Sequence, residues 1–253
     1  MTEKIAITAS AHPNAQQALA ELVQLYEFVP EDQAQVLVAL GGDGFMLETL
    51  QRTQHLDLPV YGMNRGTVGF LMNDFDLDAL DRRLAEAELA EIHPLHMEAT
   101  TQSGQIYTAL AINEVSLLRM GPQAAKLQIS IDGKLRLDHL VADGALVATP
   151  AGSTAYNYSA HGPILPIQSE VLALTAMSAF RPRRWRGALL PQSAVVEFHV
   201  IEPKKRPVMA EADSRSVPNV THVKVRSDPS VMHKLLFDPG HGLEERIIAE
   251  QFT

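Results

Sequence analysis

Asp43 stands in the run Leu40-Gly41-Gly42-Asp43-Gly44-Phe45-Met46. A carboxylate in a glycine turn can accept a proton, hold a metal ion or grip a hydroxyl. The glycines around it suit a phosphate. Gly41, Gly42 and Gly44 can take φ > 0 and let a ligand close on the backbone, and N–H groups at the start of a following helix favour anions. The carboxylate would repel that same phosphate, which argues that Asp43 has a job of its own. The plain alternative is a Gly-Asp-Gly turn that only reverses the chain.

Two further stretches are too polar for ordinary strands. In Ala111-Ile112-Asn113-Glu114-Val115-Ser116 an amide and a carboxylate interrupt an apolar run. Side by side they can read a donor–acceptor pattern such as an adenine edge or a ribose diol, or simply mark a solvated strand end. The stretch from Asp143 to Pro163 carries a strand into Thr149-Pro150-Ala151-Gly152-Ser153-Thr154-Ala155-Tyr156-Asn157-Tyr158-Ser159, small and hydroxylated residues suited to starting a helix. Tyr156 offers a flat face, Asn157 an amide, and Thr154 and Ser159 hydroxyls, while the small residues let backbone close over a ligand. A loop so rich in hydrogen-bonding groups more often binds than merely connects. His161 falls within it, as a ligand or as a packing residue.

The elements that must position these groups follow from periodicity. Residues 4–8, 36–40 and 59–63 read as strands, 14–28 and 77–89 as helices, with Asp78 placed to meet Arg82 one turn on. Such alternation implies a parallel sheet covered by helices, with ligands at the edge where its loops emerge. The second of those loops is Asn64-Arg65-Gly66-Thr67-Val68-Gly69-Phe70-Leu71. From 92 to about 226 short β-like runs dominate, clearest at 92–101, 105–112, 125–131 and 134–137, then 194–201, 207–211 and 220–225. Asp132-Gly133 marks a two-residue hairpin turn. The spacing predicts a β-sandwich or a stack of sheets. A last amphipathic helix, about 242–251, is expected to pack back on the first domain. The expected division is 1–90, 91–230 and a returning segment 231–253.

Composition bounds the partners. The 253 residues carry a formal net charge of −9, are 46% hydrophobic and 20% charged, and include no cysteine. The acidic balance argues against a nucleic-acid binder, and disulfides and thiolate metal sites are excluded. Neither a signal pattern nor an apolar run of membrane-spanning length is visible, so a cytoplasmic protein without a membrane partner is expected. The histidines show no metal-ligand spacing, and no residue is assigned as a metal ligand. Arg181-Pro182-Arg183-Arg184-Trp185-Arg186 could bind phosphates, stack on a base or form a subunit interface, or be a solvated loop.

In series, the Gly41-Gly42-Asp43-Gly44 turn, the second glycine loop, the Asn113-Glu114 pair and the Thr149–Ser159 loop resemble the NAD kinases, over residues 5 to about 248. The glycine-aspartate turn alone is shared with diacylglycerol, sphingosine and phosphofructo-kinases. The resemblance implies an NAD kinase/diacylglycerol kinase-like fold, an N-terminal α/β domain plus an all-β C-terminal sandwich. It implies transfer of a phosphoryl group from ATP, with a divalent metal ion such as Mg²⁺, to the 2′-hydroxyl of the adenosine ribose of NAD, giving NADP. Asp43 would then take or orient the hydroxyl proton, Gly44 would admit the ribose, and Gly41 and Gly42 would meet phosphate. Asn113 and Glu114 would hold the nicotinamide nucleotide and Asp143 would touch the dinucleotide. Ala151, Thr154, Ala155, Tyr156, Asn157 and Ser159 would line the adenine and ribose pocket, with Tyr156 stacking. A homodimer or homotetramer is the usual assembly of such enzymes.

Two departures stand out. Leu174-Thr175-Ala176-Met177 lacks a proline–histidine pair frequent in the family, and Glu211-Ala212-Asp213-Ser214 has serine where glycine commonly follows the aspartate. No ligand role is carried over to Asp213. A lipid or sugar kinase sharing the glycine turn would leave Asn113-Glu114 and the Thr-Ala-Tyr-Asn run unexplained. A sensor that binds dinucleotide without chemistry would have little use for Asp43.

Overall fold

A computed structural model describes residues 4–66 and 69–250 of the chain. Thr67 and Val68 of the second glycine loop, and Gln251 at the expected end of the last helix, lie outside them. Strand β1 (Ile5–Ala9) leads into helix α1 (Pro13–Leu25), where Pro13 occupies the first turn and the His12 ring accepts the Asn14 N–H. A proline is tolerated there because the first-turn N–H has no partner within the helix. Strand β2 (Val36–Gly41) is buried along its whole length and runs directly into α2 (Asp43–Arg52). Next come β3 (Val60–Asn64), α3 (Leu80–Glu86) and β4 (Glu88–Ile92).

The second stretch of chain is dominated by strands. It holds β5 (Leu95–Thr101), β6 (Ile106–Ala111), β7 (Glu114–Arg119), β8 (Ala125–Ile131), β9 (Lys134–Ala142) and β10 (Gly144–Ala148). One short helix, α4 (Tyr156–Ser159), precedes β11 (Val171–Met177), β12 (Gly187–Pro191) and β13 (Val196–Val200). After β14 (Val208–Ala212), β15 (Arg215–Val217) and β16 (Val220–Ser227), the chain ends in β17 (His233–Phe237) and α5 (Leu243–Glu250).

Two compact units result, one over Met1–Ile92 and Met232–Thr253, the other over His93–Val231. In the first, the sheet order is β1-β2-β3-β17-β4. The β1, β2, β3 and β17 pairings are parallel, whereas β4 runs antiparallel to β17. The expected parallel sheet therefore carries an antiparallel edge. Residues 77–89, read as one helix, split into α3 and β4. Ala79 adopts φ 58° just before the helix, and Asp78 lies ahead of it, its N–H on Asp76 Oδ1, so the helical Asp78–Arg82 pairing does not arise. Strand β17 had no sequence signal as a member of this sheet. The buried Asn73 holds it there, donating to Gly62 and Leu236 carbonyls at 3.0 and 2.9 Å and accepting the Asp238 N–H.

The second unit is a sandwich of two antiparallel six-stranded sheets, ordered β12-β11-β10-β7-β14-β15 and β6-β5-β16-β13-β8-β9. Strand β8 shows the governing pattern, with alternate residues buried, as expected for a sheet with one face in the core. Asp132 and Gly133 turn the β8–β9 hairpin with φ of 51° and 72°, the paired left-handed conformations of the tight hairpin turn.

Candidate active site

Each unit carries one group of the candidate residues. In the first, Asp43 opens α2 directly after β2, and the helix N-terminus at Gly42 has no side-chain cap. Uncapped first-turn N–H groups and the helix dipole attract anions. Gly42 is extended, with φ −116° and ψ −174°, and neither Gly41 nor Gly44 has positive φ. The expected left-handed glycines are absent here, and space explains the residue type instead. A Cβ on Gly41 would lie 2.8 Å from the Phe45 ring, and one on Gly66 would lie 3.3 Å from Gly42 Cα, so the two glycine loops touch through backbone. Around Gly44 nothing comes within 4 Å of the Cβ position, leaving room for a bulky partner.

The second loop grips the carboxylate. Phe70 N–H donates to Asp43 Oδ2 and Leu71 N–H to Oδ1, both at 2.8 Å. Burial nevertheless raises the pKa of Asp43 above the usual carboxylate value, against the pull of these two N–H groups and of the Arg246 charge. An oxygen with two lone pairs can accept one bond and still take another. The loop is itself fastened by α5, because Arg246 Nη1 donates to the carbonyls of Gly69 at 2.9 Å and Phe70 at 3.3 Å. Sequence reasoning missed Arg246, which lies 203 positions past Asp43 and in no motif.

In the second unit, Asn113 and Glu114 sit at the start of β7. Asp213, at φ 49° in the β14–β15 turn, accepts the N–H groups of Ile112 at 2.7 Å and Asn113 at 3.0 Å, and more distantly that of Glu114. The Asn113 carbonyl accepts Thr149 N–H at 2.9 Å, and the Thr149 hydroxyl donates to Ile112 O and accepts Gly152 N–H. A Cβ on Gly152 would lie 2.2 Å from the Asn113 carbonyl oxygen. Glycine is required because the two segments pack backbone against backbone.

Glu114 is the most perturbed carboxyl here. Burial, then the nearby Asp213 and Glu211 charges, push its pKa up to about 8, although Tyr156 N–H donates to it. Its Oε2 is buried without a hydrogen-bond partner among the described residues. A neutral carboxylic acid at pH 7 can donate as well as accept. Tyr156 is exposed, yet partial desolvation of its phenol, followed by the negative charges of Glu211, Glu114 and Asp143, raises the pKa above the ordinary tyrosine value. Asp143 itself pairs with Arg119 Nε at 2.6 Å, half exposed.

The loop residues divide between surface and interior. Ala151 to Thr154 form a single tight turn, and Ala151 is buried while Thr154 and Ala155 are partly open. Ser159 is exposed. Asn157 faces inward instead. It is fully buried, its amide donating to Ser153 O at 3.0 Å and Pro163 O at 2.8 Å and accepting the Thr175 hydroxyl at 2.6 Å. All of its amide groups are engaged by protein, so it shapes the loop rather than lining its surface. His161, at φ 61° and exposed, borders a cavity of about 480 Å³ with Pro163, Leu174, Arg186 and Leu189. A larger cavity of about 640 Å³, bordered by Thr101, Tyr107 and Asn219, contains none of the candidate residues. In the arginine-rich run Trp185 packs on the sandwich core, and Arg181, Arg183, Arg184 and Arg186 are exposed.

No helix among the described residues is long and apolar enough to cross a membrane. Two family models match the chain, the ATP-NAD kinase N-terminal domain over residues 3–90 and the ATP-NAD kinase C-terminal domain over residues 112–226. The protein named NAD kinase in Cereibacter sphaeroides is 64% identical over 99% of both chains. That of Caulobacter vibrioides is 57% identical over 99% of this chain and 96% of its own. Among solved structures, yeast NADH kinase complexed with NADH has a TM-score of 0.82 at 22% identity, covering 99% of this chain and 87% of that one. The Archaeoglobus fulgidus NAD kinase in complex with ATP gives 0.75 at 21% identity and 98% of each chain. These two likenesses, at such identities, speak for the fold. With both family models in order along the sequence and full-length relatives well above half identical, the chain belongs to the NAD kinase family.

Proposed function

We infer that Asp43 is the base in the reaction this NAD kinase performs, transfer of a phosphoryl group from ATP to the 2′-hydroxyl of the adenosine ribose of NAD to give NADP. A ribose hydroxyl is scarcely ionised at pH 7. A carboxylate in hydrogen-bond reach can take its proton as the new P–O bond forms, a contribution of roughly 10²–10⁴-fold. The observation that carries the reading is the held carboxylate: both oxygens fixed by the Phe70 and Leu71 N–H groups, with a proton affinity raised by burial. The open space at Gly44 admits the ribose, and the uncapped start of α2 after Gly41 and Gly42 faces phosphate.

Asn113 and Glu114 hydrogen-bond the nicotinamide nucleotide, with the unpartnered Glu114 oxygen taking a hydroxyl. Tyr156 stacks on a ring, and Ala151, Thr154, Ala155 and Ser159 close on the adenine and ribose, while Asn157 keeps that loop in shape.

Mg²⁺ prefers oxygen ligands and keeps several waters, and in kinase sites it is held in large part by the substrate phosphates, so the ion would enter with ATP and no side chain of this chain is assigned to it. Such an ion, when bound with ATP, neutralises triphosphate charge. The oligomer is two or four chains, and the open β12 edge with its exposed Leu189 offers a pairing surface. The enzyme works in the cytoplasm.

The test is NADP formation from NAD, ATP and Mg²⁺ by the wild type and Asp43→Asn. The variant should lose roughly 10²–10⁴-fold in kcat while NAD affinity changes little. Near-normal turnover in the variant would remove Asp43 from the mechanism.

A further inference from the structure

Strand β13 buries Val196, Phe198 and Val200, so Glu197 and His199 point to the opposite, outer face of the sheet. On the neighbouring strand β16, His222 is directly opposite His199 and Lys224 directly opposite Glu197. His222 Nε2 lies 3.1 Å from Glu197 Oε2. The two imidazole rings have centroids 4.3 Å apart with an interplanar angle of 33°. One ligand atom from each of Glu197, His199 and His222 can be chosen so that all lie within 4.8 Å of one another. The sequence shows no metal-ligand spacing here, because the two histidines come from different strands and only the pairing register brings them together. The cluster is on the sheet that does not contain Glu114.

We propose that Glu197, His199 and His222 form a binding site for a divalent transition-metal ion such as zinc, tying β13 to β16. Zinc–nitrogen and zinc–oxygen bonds near 2.0–2.1 Å put neighbouring ligand atoms of a tetrahedral site about 3.3 Å apart. The His222–Glu197 pair, hydrogen-bonded at 3.1 Å, is close to that separation. From the 4.8 Å limit, His199 must move by about 1.5 Å at most to reach the tetrahedral spacing, and its side chain is on the exposed face of the strand. Two imidazoles with one carboxylate favour zinc, copper or nickel over the hard, oxygen-seeking magnesium and calcium. Three protein ligands leave a fourth position for water.

Lys224 is directly opposite Glu197 in the register, and Glu98 on β5 is directly opposite Lys224 on its other side. Gln128 on β8, opposite His199, is held by Asp138 at 2.9 Å. All three ligands stand on strands inside the sheet, paired on both sides, so the backbone is already positioned for the ion.

Zinc chloride titrated calorimetrically into the full chain, freed of metal with EDTA, tests the site. The wild type should bind one equivalent that His199→Asn, His222→Asn and Glu197→Gln each weaken by about tenfold or more. Zinc should raise the melting temperature of the wild type and not of the variants, whose metal-free melting temperatures and NADP formation stay close to wild type. Cobalt(II) in place of zinc should show the intense visible bands of a four-coordinate site. If the wild type shows no saturable binding, or if the His199→Asn/His222→Asn double variant binds zinc with the same stoichiometry and affinity, the proposal is overturned.

Discussion

Asp213 Oδ1 accepts the backbone N–H of Asn113 at 3.0 Å, and its other oxygen takes the Ile112 N–H at 2.7 Å. One carboxylate at the tip of the β14–β15 turn thus fixes the segment that presents Asn113 and Glu114. Asp213 holds backbone, and it also raises the proton affinity of Glu114 by its charge. Asp213→Ala should cost about 1–3 kcal/mol of stability for the N–H groups it orphans. It should raise KM for NAD far more than it lowers kcat, as denaturant titration and steady-state kinetics will show.

Arg246 reaches the base at second hand. Its guanidinium holds the Gly69 and Phe70 carbonyls, and the N–H groups of Phe70 and Leu71 hold Asp43. Arg246→Ala should lower kcat by about 10²-fold, the scale of an ångström-sized misplacement of a catalytic group, with Arg246→Lys recovering part of the loss. NAD binding measured by calorimetry should change much less than turnover.

Glu114 gives a pH signature. Its folded pKa of about 8 stands above the ordinary glutamate value of 4.5, so the folded chain keeps a proton that the unfolded chain has released between those values. The unfolded state then binds fewer protons, and this group's contribution to stability falls as pH rises from 4.5 to 8 and levels off above. Glu114→Gln removes that slope. Melting temperatures of the ligand-free protein across this range should therefore fall more steeply for wild type than for the variant. KM for NAD should also change through pH 8 in wild type and stay flat in the variant.

Asn157 and Tyr156 are adjacent and should behave oppositely. Asn157→Ala leaves the Thr175 hydroxyl and the Ser153 and Pro163 carbonyls without their amide partner, each at about 1–3 kcal/mol where no water replaces it. Its melting temperature should fall clearly. Tyr156→Ala, at an exposed ring, should leave melting almost unchanged and raise KM for NAD. Scanning fluorimetry beside kinetics separates the two.

Local units were legible from the order of residues alone. Hydrophobic runs bounded by turn residues announced β2 and β8, the Asp132-Gly133 turn and the strand–turn–helix around Asp43, because strand burial, hairpin twist and helix starts depend on neighbours a few positions apart. That order also presented Asp43, Asn113-Glu114 and the 149–159 loop as the residues with chemistry in them. The tertiary structure decided whatever depends on partners distant in the chain. Strand β17 joins the first sheet because Asn73 binds Leu236 and Asp238, a relation no local window contains. Gly41 and Gly152 are glycine because Phe45 and Asn113 crowd the Cβ position, not because φ is positive. Asn157 turned inward once Thr175 stood within reach. The proton affinities of Asp43 and Glu114 rose because burial removes the water that stabilises a carboxylate, and burial is a property of the folded chain alone.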